Sequence, residues 1–315
     1  GARGARLSAG AVNPVNRVLV PWPEIRDRLE GFAAEIYDGD RPPPADLSDV
    51  VACVLPYDKG TAPAELLSRP MPELRFVQAL SAGVEKLLPL VGPDVVLCNG
   101  RGLHDASVAE HALGLVLAAQ RDVPRWVRQQ WIGSWARAHT RSLIDATVVI
   151  LGYGSIGAAI ETRLRACGAI VVPVANRARP ESGVRGVAEL EEILPRADIL
   201  VLVLPDNAGT RGLLDAERLG LLPDDALVVN VGRGRAVDTE ALLAETASGR
   251  LRAALDVTDP EPLPPGHPLW TVEGVLITPH VAGGSASFYP RAADFAVAQL
   301  RRFAAGEPLE NIVER

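Results

Sequence analysis

The first hundred residues alternate short apolar runs with polar or Pro-rich gaps. Runs at 17–20, 50–55, 74–79 and 95–98 are four to six residues long and rich in Val, Leu and Ala, the pattern of strands buried on both faces. Helical segments are expected between them at 25–31 and 64–68, and Pro42-Pro43-Pro44 reads as a loop. One long helix is expected over 107–128, because Ala109, Ala112, Leu113, Val116, Leu117 and Gln120 recur at helical spacing. From 147 onward the alternation becomes regular. Apolar runs at 147–151, 170–174, 199–204, 227–231, 253–256 and 275–278 are separated mostly by helical stretches. A last helix over 285–306 meets the stop signals Gly306 and Pro308.

The pattern predicts an α/β protein of two doubly wound parallel-sheet domains. A Rossmann-type nucleotide domain (101–283) is expected as an insertion in a smaller flavodoxin-like domain built from 11–100 and 284–315. The first ten residues, rich in Gly, Ala and Arg and lacking an initiator Met, are set aside as a tail.

Composition changes this picture little. The chain has 315 residues, 48% of them hydrophobic, and a net charge of −7, so no global basic field points to nucleic acid. All but two of its 32 basic residues are Arg, the exceptions being Lys59 and Lys86, and coding bias in a GC-rich genome accounts for that. Cys53, Cys98 and Cys167 form no CxxC or metal pattern and read as buried free thiols. No apolar run is long enough to span a bilayer and no signal peptide is visible; a cytoplasmic protein without membrane contact is expected. Trp126, Trp131 and Trp135 stand in an Arg/Gln-rich stretch, and two readings of them stand: anchors for a second subunit in a homodimer, or a cluster closing the domain's own core.

The chemistry begins at Gly152-Tyr153-Gly154-Ser155-Ile156-Gly157, a GxGxxG element that follows an apolar strand and opens a helix. Gly152 permits the tight turn, Gly154 the approach of a pyrophosphate, and Gly157 close packing of helix on sheet. The N–H groups at the start of that helix, from Ser155 and Ile156 on, are the natural ligands of the phosphates. After the second strand come Ala175-Asn176-Arg177-Ala178-Arg179, with no acid to accept from ribose hydroxyls. Arg177 and Arg179 suit a 2′-phosphate, so NADP is favoured over NAD, the alternative being NAD bound without an acidic partner.

Three polar segments fall at later strand ends, where the ligand crevice of such a sheet lies: Asn230 to Asp238, Asp256 to Pro262, and Thr278 to Gly283. Singly, Arg233, Glu261 and His280 have ordinary explanations: a sheet-edge ion pair, an exposed loop acid, a satisfied interior histidine. Together, and in this order with the Gly-rich turn, the segments resemble the D-isomer-specific 2-hydroxyacid dehydrogenase family, from the Ser81-Ala82-Gly83-Val84-Glu85 loop to the final helix. The resemblance implies a catalytic set of Arg233, Glu261 and His280. His280 is the proton donor in reduction and the base in oxidation, Glu261 favours its charged form, and Arg233 grips the substrate carboxylate. It also implies substrate contacts from Ala82, Gly83 and Tyr57, and a contact from Asp256 to the nicotinamide carboxamide. His111 is read as a packing residue and His104 as a loop residue.

For substrate, the resemblance implies a small 2-oxo or 2-hydroxy acid. Tyr57 stands where phosphoglycerate-type relatives tend to place basic residues, and no regulatory domain is expected after the last helix, so glyoxylate, hydroxypyruvate or pyruvate is favoured. Lys59 keeps an NAD-dependent phosphoglycerate dehydrogenase open, and a dinucleotide-sensing protein of corepressor type is the reading outside enzymes. Formate dehydrogenase relatives normally carry Gln where Glu261 stands.

Overall fold

The computed structural model describes residues 17–314; the tail assigned to the first ten residues, and residues 11–16 of the expected first domain, lie outside the described residues. Among these residues the chain forms two compact units, one running to His104 and resuming at Ala286, the other spanning Asp105–Ser285.

The first unit is a five-stranded parallel sheet: β1 (Arg17–Val20), β2 (Ala33–Ile36), β3 (Val50–Val54), β4 (Phe76–Gln78) and β5 (Val96–Cys98). The spatial order is β2-β1-β3-β4-β5, the flavodoxin-like order. Side chains alternate across the sheet. Val18 and Val20 enter one core with the helix Phe288–Ala305, and Leu19 enters another with Leu47 and Leu66. Burial on both faces explains why these strands read as unbroken apolar runs. The strand β2 is an addition to the expected set. Its sequence Ala-Ala-Glu-Ile neither alternates nor forms an apolar run, and it is half-exposed at the sheet edge.

The second unit holds β6 (Thr147–Leu151), β7 (Ile170–Ala175), β8 (Arg185–Gly186), β9 (Ile199–Leu202), β10 (Leu227–Asn230), β11 (Arg252–Leu255) and β12 (Val275–Ile277). They form one parallel sheet in the order β8-β7-β6-β9-β10-β11-β12, which reverses direction of growth at β6/β9 as in a Rossmann sheet. Val148 and Ile150 pack on one face with Ala109, Ala112 and Val116, while Val149 and Leu151 pack on the other with Leu190 and Leu194. The two-residue strand β8 is too short to leave a periodic signal. It pairs only with Val174 and Ala175, so Pro173, which lacks an N–H, faces no partner strand on that side.

The expected helix over 107–128 is instead two helices, Asp105–Gln120 and Val123–Trp131. Asp122 takes a left-handed conformation at φ 50°, and Pro124 in the first turn of the second helix cannot continue the hydrogen bonding of the first. Among the described residues no helix is long and apolar enough to cross a membrane.

Candidate active site

The Gly-rich turn is built as its spacing demands. Gly152 sits at φ 105°, and a Cβ there would lie 2.4 Å from the Val203 carbonyl oxygen. A Cβ on Gly157 would lie 2.6 Å from the Gly152 oxygen, so glycine alone lets the helix Ser155–Ala166 start this close to the strand. Gly154 is different, since nothing stands within 4 Å of the position its Cβ would occupy. No side chain caps the helix, and among the described residues nothing accepts from the N–H of Ser155 or Ile156. Open space before uncapped amides suits a dinucleotide pyrophosphate.

At the end of β7, Asn176, Arg177 and Arg179 are all exposed. The two arginines differ. Arg179 donates through Nη2 to the Tyr153 oxygen at 2.7 Å and lies 5.5 Å from the centre of the Tyr153 ring, so it is fixed against the Gly-rich turn. Tyr153 is held in turn by a short hydrogen bond to Glu161. Arg177 has no side-chain partner among the described residues.

The structure brings Glu261 and His280 together, Nδ1 of the histidine lying 2.5 Å from Glu261 Oε1. The hydrogen bond and charge of Glu261 raise the His280 pKa above its ordinary 6.5, against burial and the nearby Arg233 cation. The same hydrogen bond holds the Glu261 carboxyl below its usual range. With Nδ1 engaged, Nε2 is the nitrogen free to exchange a proton with a bound molecule. Arg233 is close enough to act on both groups. It follows β10, where the buried Asn230 brackets its loop, accepting from the Gly232 N–H at 3.0 Å and donating to the Arg233 oxygen at 3.0 Å. A Cβ on Gly234 would fall 1.9 Å from the Thr258 oxygen, so this loop and the one carrying Glu261 touch backbone to backbone.

Asp256 is 2% exposed, and both its carboxylate oxygens accept hydrogen bonds from the His280 loop. His111, read from sequence as a packing residue, has a polar partner as well, with Nε2 lying 3.0 Å from Thr278 Oγ1. No sequence signal marks this network, because it joins a helix and two strand ends far apart in the chain.

The remaining candidates belong to the first unit. Ser81 donates to the Gly83 oxygen at 2.8 Å and Asn99 to the Ala82 oxygen at 3.0 Å. The loop is thereby fixed, while among the described residues nothing accepts from the N–H of Ala82 or Gly83. Tyr57 is half-buried, its ring packed 4.2 Å from that of Phe288 and 5.5 Å from that of His104. His104 lies in a bend, as read, but is buried, bonded to the Leu80 oxygen at 2.9 Å and stacked on Phe288. Lys59 is committed to Asp40 at 2.6 Å, so it is not a free cation for a phosphate. Cys53 and Cys98 are buried free thiols and Cys167 is half-buried. Among the described residues no cluster suits a metal.

Comparison with known proteins gives a consistent result. The family model for the NAD binding domain of D-isomer specific 2-hydroxyacid dehydrogenases matches residues 113–282. The glyoxylate reductase of Aeropyrum pernix is 32% identical, the match covering 93% of each chain. The D-3-phosphoglycerate dehydrogenase of Methanocaldococcus jannaschii is 30% identical over 83% of this chain, which spans only 52% of that longer protein. Among solved structures, a D-isomer specific 2-hydroxyacid dehydrogenase from Xanthobacter autotrophicus in complex with NADPH and MES superposes with a TM-score of 0.79 at 32% identity, covering 95% of this chain and 98% of that one.

Proposed function

From the premise that this chain belongs to the D-isomer-specific 2-hydroxyacid dehydrogenase family, we propose that it reduces short, unphosphorylated 2-oxo acids such as glyoxylate, hydroxypyruvate or pyruvate, using NADPH. The observation that carries the reading is the Glu261–His280 pair at 2.5 Å beside Arg233. When bound, the dinucleotide supplies the hydride. Arg233 holds the substrate carboxylate in its planar fork and draws electron density from the C2 carbonyl. His280, whose charged form Glu261 favours, gives its Nε2 proton to the carbonyl oxygen as the alcohol forms. Within the first unit, the free amides of Ala82 and Gly83 are donors suited to a carboxylate, and Tyr57 is an aromatic candidate for contact with the substrate. The capture of Lys59 by Asp40 counts against a phosphorylated substrate.

The preference for NADPH rests on Arg177 and on the absence of an acid at the end of β7; the Xanthobacter relative, solved with NADPH, is in keeping with it. Turnover followed at 340 nm with a panel of 2-oxo acids tests substrate and cofactor together. Arg177→Ala is expected to lower kcat/KM for NADPH by about 10–100-fold, the worth of one charge-assisted hydrogen bond, with little change for NADH. Wild-type preference for NADH defeats the assignment. Tight cofactor binding without turnover on any acid replaces the enzyme with a dinucleotide sensor.

We also propose that the chain works as a homodimer. The helix Val123–Trp131 has no buried residue, and Trp131 and Trp135 are 85% and 89% exposed, so these two do not close the unit's own core. Val127 and Ile132 are exposed as well, so this short stretch carries four exposed large apolar side chains, as an interface segment does. Light scattering at micromolar concentration should give a dimer mass, and Trp131→Ser with Trp135→Ser should give a monomer. A monomeric wild type refutes this.

A further inference from the structure

We propose that Asn99 and Gly100, at the end of β5, are positioning residues that aim the free amides of Ala82 and Gly83 at the substrate carboxylate, and that Asn311 braces them from the segment after the helix Phe288–Ala305. This rests on the reading that those amides receive the carboxylate.

In a trans peptide the C=O and the N–H point in opposite directions across a rigid plane, so whatever holds the oxygen also aims the N–H. The Ala82 N–H shares its plane with the Ser81 oxygen, and the Gly83 N–H shares its plane with the Ala82 oxygen. Consecutive residues hold both oxygens. The Gly100 N–H donates to the Ser81 oxygen at 2.7 Å, and Asn99 Nδ2 donates to the Ala82 oxygen at 3.0 Å. Ser81 Oγ secures the next plane by donating to the Gly83 oxygen at 2.8 Å. Two neighbouring N–H groups are therefore fixed in direction, while among the described residues nothing accepts from either. A carbonyl that accepts a hydrogen bond also polarises its own peptide, which makes the N–H at the other end a better donor to an anion.

Asn99 and Gly100 are themselves tightly placed. A Cβ on Gly100 would lie 2.2 Å from the Leu80 oxygen, so only glycine brings its N–H this close to the loop. Asn99 Oδ1 accepts from the Arg101 N–H at 3.2 Å, which turns the Nδ2 end of the amide toward Ala82. The Asn99 N–H donates to the Asn311 oxygen at 3.1 Å, and the Asn99 oxygen accepts from Gln78 Nε2 at 3.1 Å. Every polar group of Asn99 is thus in use.

Beyond the helix Phe288–Ala305 the chain runs antiparallel to β5, with Cys98 opposite Ile312 and the Val313 N–H donating to the Leu97 oxygen at 2.9 Å. The Asn311 side chain donates to the Arg101 oxygen at 2.8 Å and accepts from Arg101 Nη2 at 3.3 Å. Asn311 sits at φ 57°, a left-handed conformation that asparagine tolerates better than most residues. Two buried glutamines tie this segment to the sheet. Gln299 Nε2 donates to Gln78 Oε1 at 2.9 Å and to the Glu310 oxygen at 2.9 Å, and Gln299 Oε1 accepts from the Glu310 N–H at 3.0 Å. Buried amides paired this completely specify one arrangement, and the arrangement they specify is that of the strand end carrying Asn99.

Steady-state kinetics and amide NMR of the full chain with NADP⁺ bound decide the matter, with oxamate, an unreactive analogue of a short 2-oxo acid, as the probe. In the wild type the Ala82 and Gly83 amide signals should shift when oxamate is added. Asn99→Ala should broaden both signals and shrink that shift. It should raise KM for the 2-oxo acid by about tenfold, roughly one charge-assisted hydrogen bond, with kcat and the NADPH dissociation constant changed by less than about twofold. Asn99→Asp keeps the size and the bond from Arg101 but turns an acceptor toward the Ala82 oxygen, so its loss should be at least as large. Asn311→Gly keeps the backbone conformation, loses only the side-chain bonds to Arg101, and should raise KM by about threefold; it carries the test if the Asn99 variants do not fold. Full oxamate shifts in the variants, with KM unchanged, overturn the proposal and leave the carboxylate site standing. Wild-type amides that do not respond while oxamate inhibits turnover defeat the reading beneath the proposal, and the proposal with it, because the carboxylate then binds elsewhere.

Discussion

His280→Ala should lower kcat for 2-oxo acid reduction by about 10²–10⁴-fold, the usual worth of a positioned general acid, with NADPH affinity nearly unchanged. The pH profile locates the effect. Reduction needs the charged imidazole, and Glu261 holds the His280 pKa above 6.5. Reductive kcat/KM with saturating NADPH should therefore be full on the acid side and fall as pH rises through that raised value. Oxidation of the hydroxy acid needs the neutral ring and should rise over the same range. Glu261→Gln removes the hydrogen bond and charge that sustain the shift, leaving burial and Arg233, which push the pKa down, against only the weaker charge of Asp256. The reductive fall should then move to lower pH, and at neutral pH the variant should be slow because too little of its histidine is charged. A His280→Ala enzyme within threefold of wild type, or a Glu261→Gln profile moved to higher pH, contradicts the mechanism.

The parts of this arrangement differ in how far sequence reveals them, and the difference is physical. The core strands β3, β9 and β10 are buried on both faces, so each appears as an unbroken apolar run. The Gly-rich turn is legible for a similar reason. Two of its glycines lie against backbone oxygens that exclude any side chain, and that constraint is local. Edge elements escape: β2 is half-exposed and β8 is two residues long, and neither has a face that must be apolar. The break at Asp122 was hidden because the apolar spacing continues past it, and only Pro124 marks it. In the site, Arg233, Glu261 and His280 are marked as candidates by their order in a known pattern. The carboxylate of Asp256, the ring of His111 and the capture of Lys59 by Asp40 are side-chain meetings across the fold, and no spacing rule records them.

A loss of comparable or greater size should come from Arg233→Ala, with kcat/KM for the 2-oxo acid down by about 10³-fold or more. Two effects are removed at once. A charge-assisted hydrogen bond to the substrate carboxylate contributes about 1.5–3 kcal/mol. A positioned donor acting on developing charge at the carbonyl contributes about 2.7–4 kcal/mol. Their sum exceeds about 4 kcal/mol, and each 1.36 kcal/mol is a factor of ten in rate. The first effect appears in KM and the second in kcat, so both should move, unlike His280→Ala, where the loss is in kcat. Arg233→Lys is no cure: an ammonium is a point charge without the fork, and its loop is fixed from both sides by Asn230 and by the contact of Gly234 with Thr258. The lysine variant should recover part of KM and little of kcat. Removing Arg233 also takes away a cation that depresses the His280 pKa, so the reductive limb of Arg233→Ala should extend to higher pH even as its rate collapses. A variant that loses rate with its pH profile displaced to lower pH would show that Arg233 does not face the imidazole, and the carboxylate-binding role would have to pass to another residue.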